Sequence, residues 1–230
     1  NPSLMRLAGA KNYKDYSIKI LKVCKKKPIS FEVFGSNKTM LVKDICNKAA
    51  SKPIWAQFLY LITKNFSNPQ FLEIGTNLGV SGTYILEALK DKKNSKFFTM
   101  EGIPQLCEIA DNQFSRICSN SKYKIYKGLY KNTFSELIKD NNNFDIIFID
   151  GNHKKDPTVQ YFSELQNKLS SKAIIIFDDI NWNSEMQEAW HIVKSYKNVT
   201  YSIDMFKFGL LIVDNTKVSK KSDYYLHLAY

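Results

Sequence analysis

Phe71-Leu72-Glu73-Ile74-Gly75-Thr76-Asn77-Leu78-Gly79-Val80-Ser81-Gly82 reads as a short apolar strand, a glycine turn and the opening of a helix. A strand-to-helix turn of this kind is where an open α/β sheet exposes its ligand crevice. Glycines there let the backbone turn tightly and let a ligand approach the amides. A pyrophosphate-binding G-x-G-x-x-G would want glycine where Asn77 stands, so a dinucleotide is disfavoured. Alone, the segment also reads as a plain glycine turn with no ligand.

Outward from this turn the chain alternates strand-like and helical segments. Strand-like runs fall at Phe71 to Ile74, Phe97 to Met100, Tyr123 to Tyr126, Phe144 to Ile149 and Ala173 to Phe177, each followed by a stretch of helical length and pattern. Repeated strand-then-helix order implies parallel βαβ units. The nearly unbroken apolar runs at 145–149 and 173–177 suit central strands covered on both faces. Helix starts are expected at Thr133 with Glu136, at Ser184 with Gln187, and at Asp156 before Pro157. Val199 to Phe206 and Phe208 to Val213 leave no room for a crossover helix, so the last strand is expected to run antiparallel. Ahead of Pro69, Leu41 to Ala49 and Pro53 to Phe66 carry helical spacing. The expected domains are a helical extension at 1–68, serving as a lid or dimer contact, an α/β domain at 69–215, and a tail at 216–230 that packs back on the body.

Composition narrows the class further. The 230 residues are 44% hydrophobic and 24% charged, which excludes collagen-like, coiled-coil and disordered chains. No apolar run approaches the roughly 20 residues of a membrane span, and Asn1 to Ala10 lacks a secretory pattern, so a cytoplasmic protein is expected. Because residue 1 is Asn, a trimmed leader stays open. Cys24, Cys46, Cys107 and Cys118 form no CxxC pair and read as buried or incidental thiols. The net charge of +11 raises the question of nucleic acid, yet only Arg6 and Arg116 are arginine, the residue whose planar fork best reads phosphates and bases. Lysine and asparagine are spread along the whole chain, so nucleic acid is not the expected partner.

A second acidic residue changes the weight of the glycine turn. Met100-Glu101-Gly102 ends the next strand, where an acceptor-only carboxylate suits the two hydroxyls of a ribose. Together, E-x-G-x-x-x-G and an acidic second-strand end resemble a class I S-adenosylmethionine-dependent methyltransferase, over most of Pro69 to Val213. The resemblance implies a Rossmann-like α/β fold, with a seven-stranded, mostly parallel sheet, an antiparallel last strand and helices on both faces. It also implies Glu73, Gly75, Asn77, Gly79 and Ser81 around the methionine part of the cofactor and Glu101 at the ribose. Gly102, Ile103, Gly128 and Leu129 would lie near the adenine, and Asp150 would border the cofactor.

The reaction is read from the other strand ends. Asp150-Gly151-Asn152-His153 closes one strand and Asp178-Asp179-Ile180-Asn181-Trp182 the next. Three carboxylates there need compensation, which a hard divalent cation, by default Mg²⁺, would supply. The alternative is that one aspartate bonds loop amides and the others are solvated. The layout of Asp150, Asp178 and Asp179 is similar to that of metal-dependent O-methyltransferases, and Asp179 departs from the catechol type toward the macrolide-sugar type. Those families place a general base three residues after the first aspartate, which implies His153 here; an imidazole titrates near neutrality. The longer string through Pro157-Thr158 and Ile203-Asp204-Met205-Phe206 resembles a bacterial branch of these enzymes. Trp182, Trp190 and Tyr161 are candidates either for an acceptor pocket or for the core.

The leading expectation is therefore methyl transfer to a hydroxyl oxygen of a small molecule, with a homodimer as a possible assembly. An RNA or protein methyltransferase is the runner-up, disfavoured because no Asp/Asn-Pro-Pro-aromatic tetrad follows the fourth strand. A non-catalytic binding module keeping the same fold is the third reading.

Overall fold

The computed structural model describes residues 28–33, 36–216 and 220–226. Expectations for the first 27 residues, including Cys24, and for the last four lie outside the described residues. The chain divides into two compact units at Ala50/Ser51, ahead of the boundary expected near Pro69. The first contains an antiparallel hairpin of β1 (Pro28–Val33) and β2 (Ser36–Leu41), followed by α1 (Val42–Ala49).

The second unit opens with α2 (Pro53–Lys64), whose Pro53 occupies the first turn, where a missing N–H costs nothing. This helix belongs with the sheet rather than with the extension. Trp55, Ala56, Leu59 and Thr63 are buried along one side of it, and the Trp55 ring lies 4.4 Å from that of Phe208.

The central sheet is built from β3 (Gln70–Ile74), β4 (Lys96–Glu101), β5 (Tyr123–Lys127), β6 (Phe144–Ile149), β7 (Leu169–Phe177), β8 (Val199–Asp204), β9 (Gly209–Asp214) and β10 (Ser222–Tyr225). Its order is β10-β8-β9-β7-β6-β3-β4-β5. Every neighbour pairing from β5 across to β7 is parallel, and β9 runs antiparallel to both β7 and β8. The reversed strand expected from the short 206–208 connection is thus present. The sheet has eight strands rather than seven, because part of the tail adds β10 parallel to β8 at the edge.

Side chains alternate between two cores, as strands covered on both faces require. Leu72, Ile147 and Ile175 face one core, shared with α5 (Tyr130–Lys139), α6 (Lys155–Leu165) and α7 (Ser184–Val193). Phe71, Ile146 and Ile176 face the other, shared with α2, α3 (Val80–Leu89) and α4 (Pro104–Phe114). Among the described residues no helix is long and apolar enough to cross a membrane.

Helix starts differ from expectation in local detail. The Gly128 turn, at φ +142°, brings the chain into α5 early, so Thr133 lies inside the helix and its hydroxyl bonds the Leu129 carbonyl at 3.2 Å instead of capping. For α7 the cap is Asn183, whose side chain accepts the Met186 N–H at 2.9 Å, one residue before Ser184. Asp156 stands in the first turn of α6, where a negative charge complements the helix dipole.

Candidate active site

β3 has β4 on one side and β6 on the other, which makes its C-terminal end the switch point of the sheet. Loops at the strand ends are tied to their neighbours through the backbone. The Gly75 and Thr76 N–H groups donate to the Met100 carbonyl at 3.2 and 3.0 Å, Asp150 N–H to Ile74 at 2.8 Å, and Asp178 N–H to Ile149 at 2.9 Å. Gly75 has φ +111°, and a Cβ there would fall 2.1 Å from the Asp150 carbonyl oxygen. The glycine is required because two strand ends meet backbone to backbone. Gly79, at φ +76°, caps α3 from the left-handed region, and Asn77 takes φ +49°, which Asn tolerates better than most residues.

Two carboxylates organise this loop, at different depths. Glu101, at the end of β4, accepts the Asn77 N–H at 2.8 Å and the Ile103 N–H at 3.0 Å, so it joins the glycine loop to the loop after β4. Burial raises its pKa, while the amides of Ile103, Asn77 and Gly102 pull it back. Glu73 lies deeper and is fully buried. It accepts a hydrogen bond from Ser81 Oγ on α3 and one from Thr99 Oγ1 on β4 at 2.7 Å. Burial pushes its pKa to about 7 against the pull of these two hydroxyls, and the charge of Glu101 adds to the rise. Glu73 and Ser81 therefore bond each other beneath the loop. Gly102 comes close to the Gly128-Leu129 turn: a Cβ on it would stand 3.8 Å from Leu129 Cδ2 and 3.9 Å from the Gly128 carbonyl. Leu129 is exposed.

On the other side of the switch point, His153 Nε2 stands 3.5 Å from Asp150 Oδ1. Burial holds the Asp150 carboxyl well above the usual carboxylate range, reinforced by Asp178 and Glu73 and opposed by Lys207. Tyr130, at the start of α5, closes this side: a Cβ on Gly151 would come within 2.9 Å of its hydroxyl. Burial, with the charges of Glu101, Asp150 and Glu73, drives the Tyr130 pKa well up, so the phenol stays protonated among three acids.

Asp178 and Asp179 engage a residue the sequence reading missed. Lys207 Nζ lies 2.7 Å from Asp178 Oδ1 and 2.6 Å from Asp179 Oδ1. Burial works against the ammonium, but the two carboxylates outweigh it and raise its pKa. Among the described residues, no three of His, Cys, Asp and Glu are grouped as a metal-holding set. One oxygen of each aspartate is already committed to the ammonium, and Asp178 Oδ1 also accepts the Asp179 N–H at 2.9 Å. The donor set of Asp150, Asp178 and Asp179 thus does not fit the divalent ion expected from sequence; the excess negative charge that called for it is answered by Lys207.

These features agree with comparisons to known proteins. The methyltransferase-domain family Methyltransf_24 matches residues 72–180, from β3 to the loop after β7. The chain has the fold of a class I methyltransferase. Among solved structures, an O-methyltransferase from Bacillus cereus in complex with SAH aligns over 89% of this chain and 93% of its own, at 16% identity and a TM-score of 0.67. The O-methyltransferase TomG from Streptomyces achromogenes, in complex with SAM, aligns over 72% of this chain and 82% of its own, at 18% identity and a TM-score of 0.61. The SAH-bound methyltransferase PaMTH1 from Podospora anserina aligns over 88% and 96%, at 17% identity and a TM-score of 0.61. At these identities the likeness is one of fold. A search of curated proteins finds no match by sequence.

Within this fold the aromatic candidates separate. Trp190 and Tyr161 are buried in the core, the first beside Phe177 and the second stacked on Phe134, whereas Trp182 is 70% exposed beyond the β7 loop. A surface groove of about 480 Å³ between α6 and α7, lined among others by Lys155, Val159 and Tyr196, contains none of the candidate residues.

Proposed function

We propose that this chain transfers the methyl group of S-adenosylmethionine to a hydroxyl oxygen of a small molecule. What carries the reading is the convergence, at one switch point, of the glycine loop, the Glu101 carboxylate and the Asp150–His153 pair. When bound, the cofactor supplies a methyl group on a positively charged sulfonium and leaves as S-adenosylhomocysteine. The chain's own groups suit it. Glu101 has lone pairs beyond those given to Asn77 and Ile103, enough to accept from ribose hydroxyls. Gly75, Asn77 and Gly79 present backbone along the methionine part, and Glu73 with Ser81 shapes that loop from below. Gly102, Ile103, Gly128 and Leu129 form the flank for the adenine, where the missing side chain of Gly102 leaves room.

In the reaction the acceptor oxygen attacks the methyl carbon in line with the breaking carbon–sulfur bond. His153 takes the hydroxyl proton, and Asp150 orients the imidazole. Alignment of the two reactants supplies much of the rate enhancement. No step passes through a metal ion. The first test is calorimetric titration of the purified chain with SAM and SAH, and absence of binding would remove the reading. Once an acceptor is found, His153→Ala should lower kcat by about 10² to 10⁴-fold, the usual range for a lost general base, with SAH affinity unchanged. Unaltered kcat would take the proton-accepting role away from His153.

A further inference from the structure

We propose that Lys207 is the resident cation of this site: its ammonium takes the place that the three aspartates would otherwise offer to a divalent metal, and the chain transfers methyl groups without one. The last clause rests on the methyl-transfer reading above; the first does not.

The lysine is delivered by a built turn. Between β8 and β9, Met205 N–H donates to the Phe208 carbonyl at 2.8 Å and Lys207 N–H to the Met205 carbonyl at 2.9 Å, while Phe206 N–H donates to Asp204 Oδ1 at 2.8 Å. This turn is joined directly to the β7 loop that carries the aspartates. Ile180 N–H donates to the Lys207 carbonyl at 3.2 Å, and Asn181 Nδ2 donates to the Phe206 carbonyl at 2.8 Å. The two loops that flank the ion contact are thus also joined by bonds that do not involve the Lys207 side chain. Because β9 pairs antiparallel with β7, Gly209 sits opposite Phe177, and the residues just before one face those just after the other. The ammonium stem is largely covered, with 26% of the side chain exposed, and Asp178 is buried. With Asp178 buried and Asp179 partly covered, the shared ammonium is strongly held, since removing it leaves uncompensated charge.

The inference is tested with Mn²⁺ as the probe, read by electron paramagnetic resonance on the full chain, with SAH titrated in the same samples. Wild type should leave the Mn²⁺ spectrum that of the free ion. Lys207→Ala and Lys207→Met, which uncover the carboxylates, should bind Mn²⁺ at least about tenfold more tightly than wild type. Adding Asp178→Asn to Lys207→Ala should abolish that gain. A lysine with a purely structural role would not create a metal site when removed. Stoichiometric Mn²⁺ binding by wild type, or failure of both folded lysine variants to gain it, overturns the proposal. Should both variants fail to fold, wild type and Lys207→Arg decide it, because both are expected to exclude Mn²⁺ and binding by either overturns it. Loss of SAH binding in wild type would remove the methyl-transfer reading while the metal comparison still reports on Lys207.

Discussion

Glu73 shows how much of this site is work done out of sight of any ligand. Its carboxyl is closed to solvent between β3, β4 and α3, and its pKa is raised from 4.5 to about 7. The folded state therefore binds its proton more tightly than the unfolded state does. Its contribution to stability is complete below pH 4.5 and is lost as the pH rises through about 7. The shape-preserving change Glu73→Gln removes the ionisation. Relative to that variant, wild type should lose on the order of 3 kcal/mol between pH 4.5 and pH 8. Urea unfolding at a series of pH values measures this directly, and a stability difference flat in pH would mean that Glu73 ionises as readily in the fold as outside it. Glu101, by contrast, is buried at the end of β4, and its two hydrogen bonds to amides set the spacing between the loops after β3 and β4.

At the scale of elements, the period of two along the strands decided which residues face which core, while the start of α7 was decided by a single side chain. The start of α7 gives a sharp comparison, because Asn183 and Ser184 are adjacent and both are good capping residues. Only Asn183 accepts the Met186 N–H. Asn183→Ala should cost about 1 kcal/mol, and Ser184→Ala only a few tenths, in chemical denaturation. Equal losses would assign the cap to both residues. The early entry into α5 has a consequence for the site: with the helix starting at Tyr130 rather than at Thr133, the phenol of Tyr130 lies against Gly151, in the loop after β6.

For the molecule as a whole, a ligand that binds only the folded state stabilises it by mass action. SAH at 100 times its Kd should add about 2.7 kcal/mol, a rise in Tm of roughly 5 to 10 °C for a chain of this size. A Tm that stays constant across SAH concentrations would contradict the cofactor reading. Much of the architecture was legible before folding, since alternating apolar runs and helical segments are local patterns, and the connection at 206–208 is too short for a crossover helix. The glycine turn and the acids at the strand ends were legible for the same reason, each lying within a few residues of a strand's end. What the sequence determined by itself was therefore the order and type of the elements and the candidate chemistry at each strand terminus. Only the tertiary structure decided which charges meet. Lys207 lies 29 and 28 residues from Asp178 and Asp179, and it reaches them only because β9 pairs antiparallel with β7 and sets one turn beside the other. Charge compensation acts through space, so a surplus of aspartates can be read along the chain, whereas the cation that balances it is chosen by the fold.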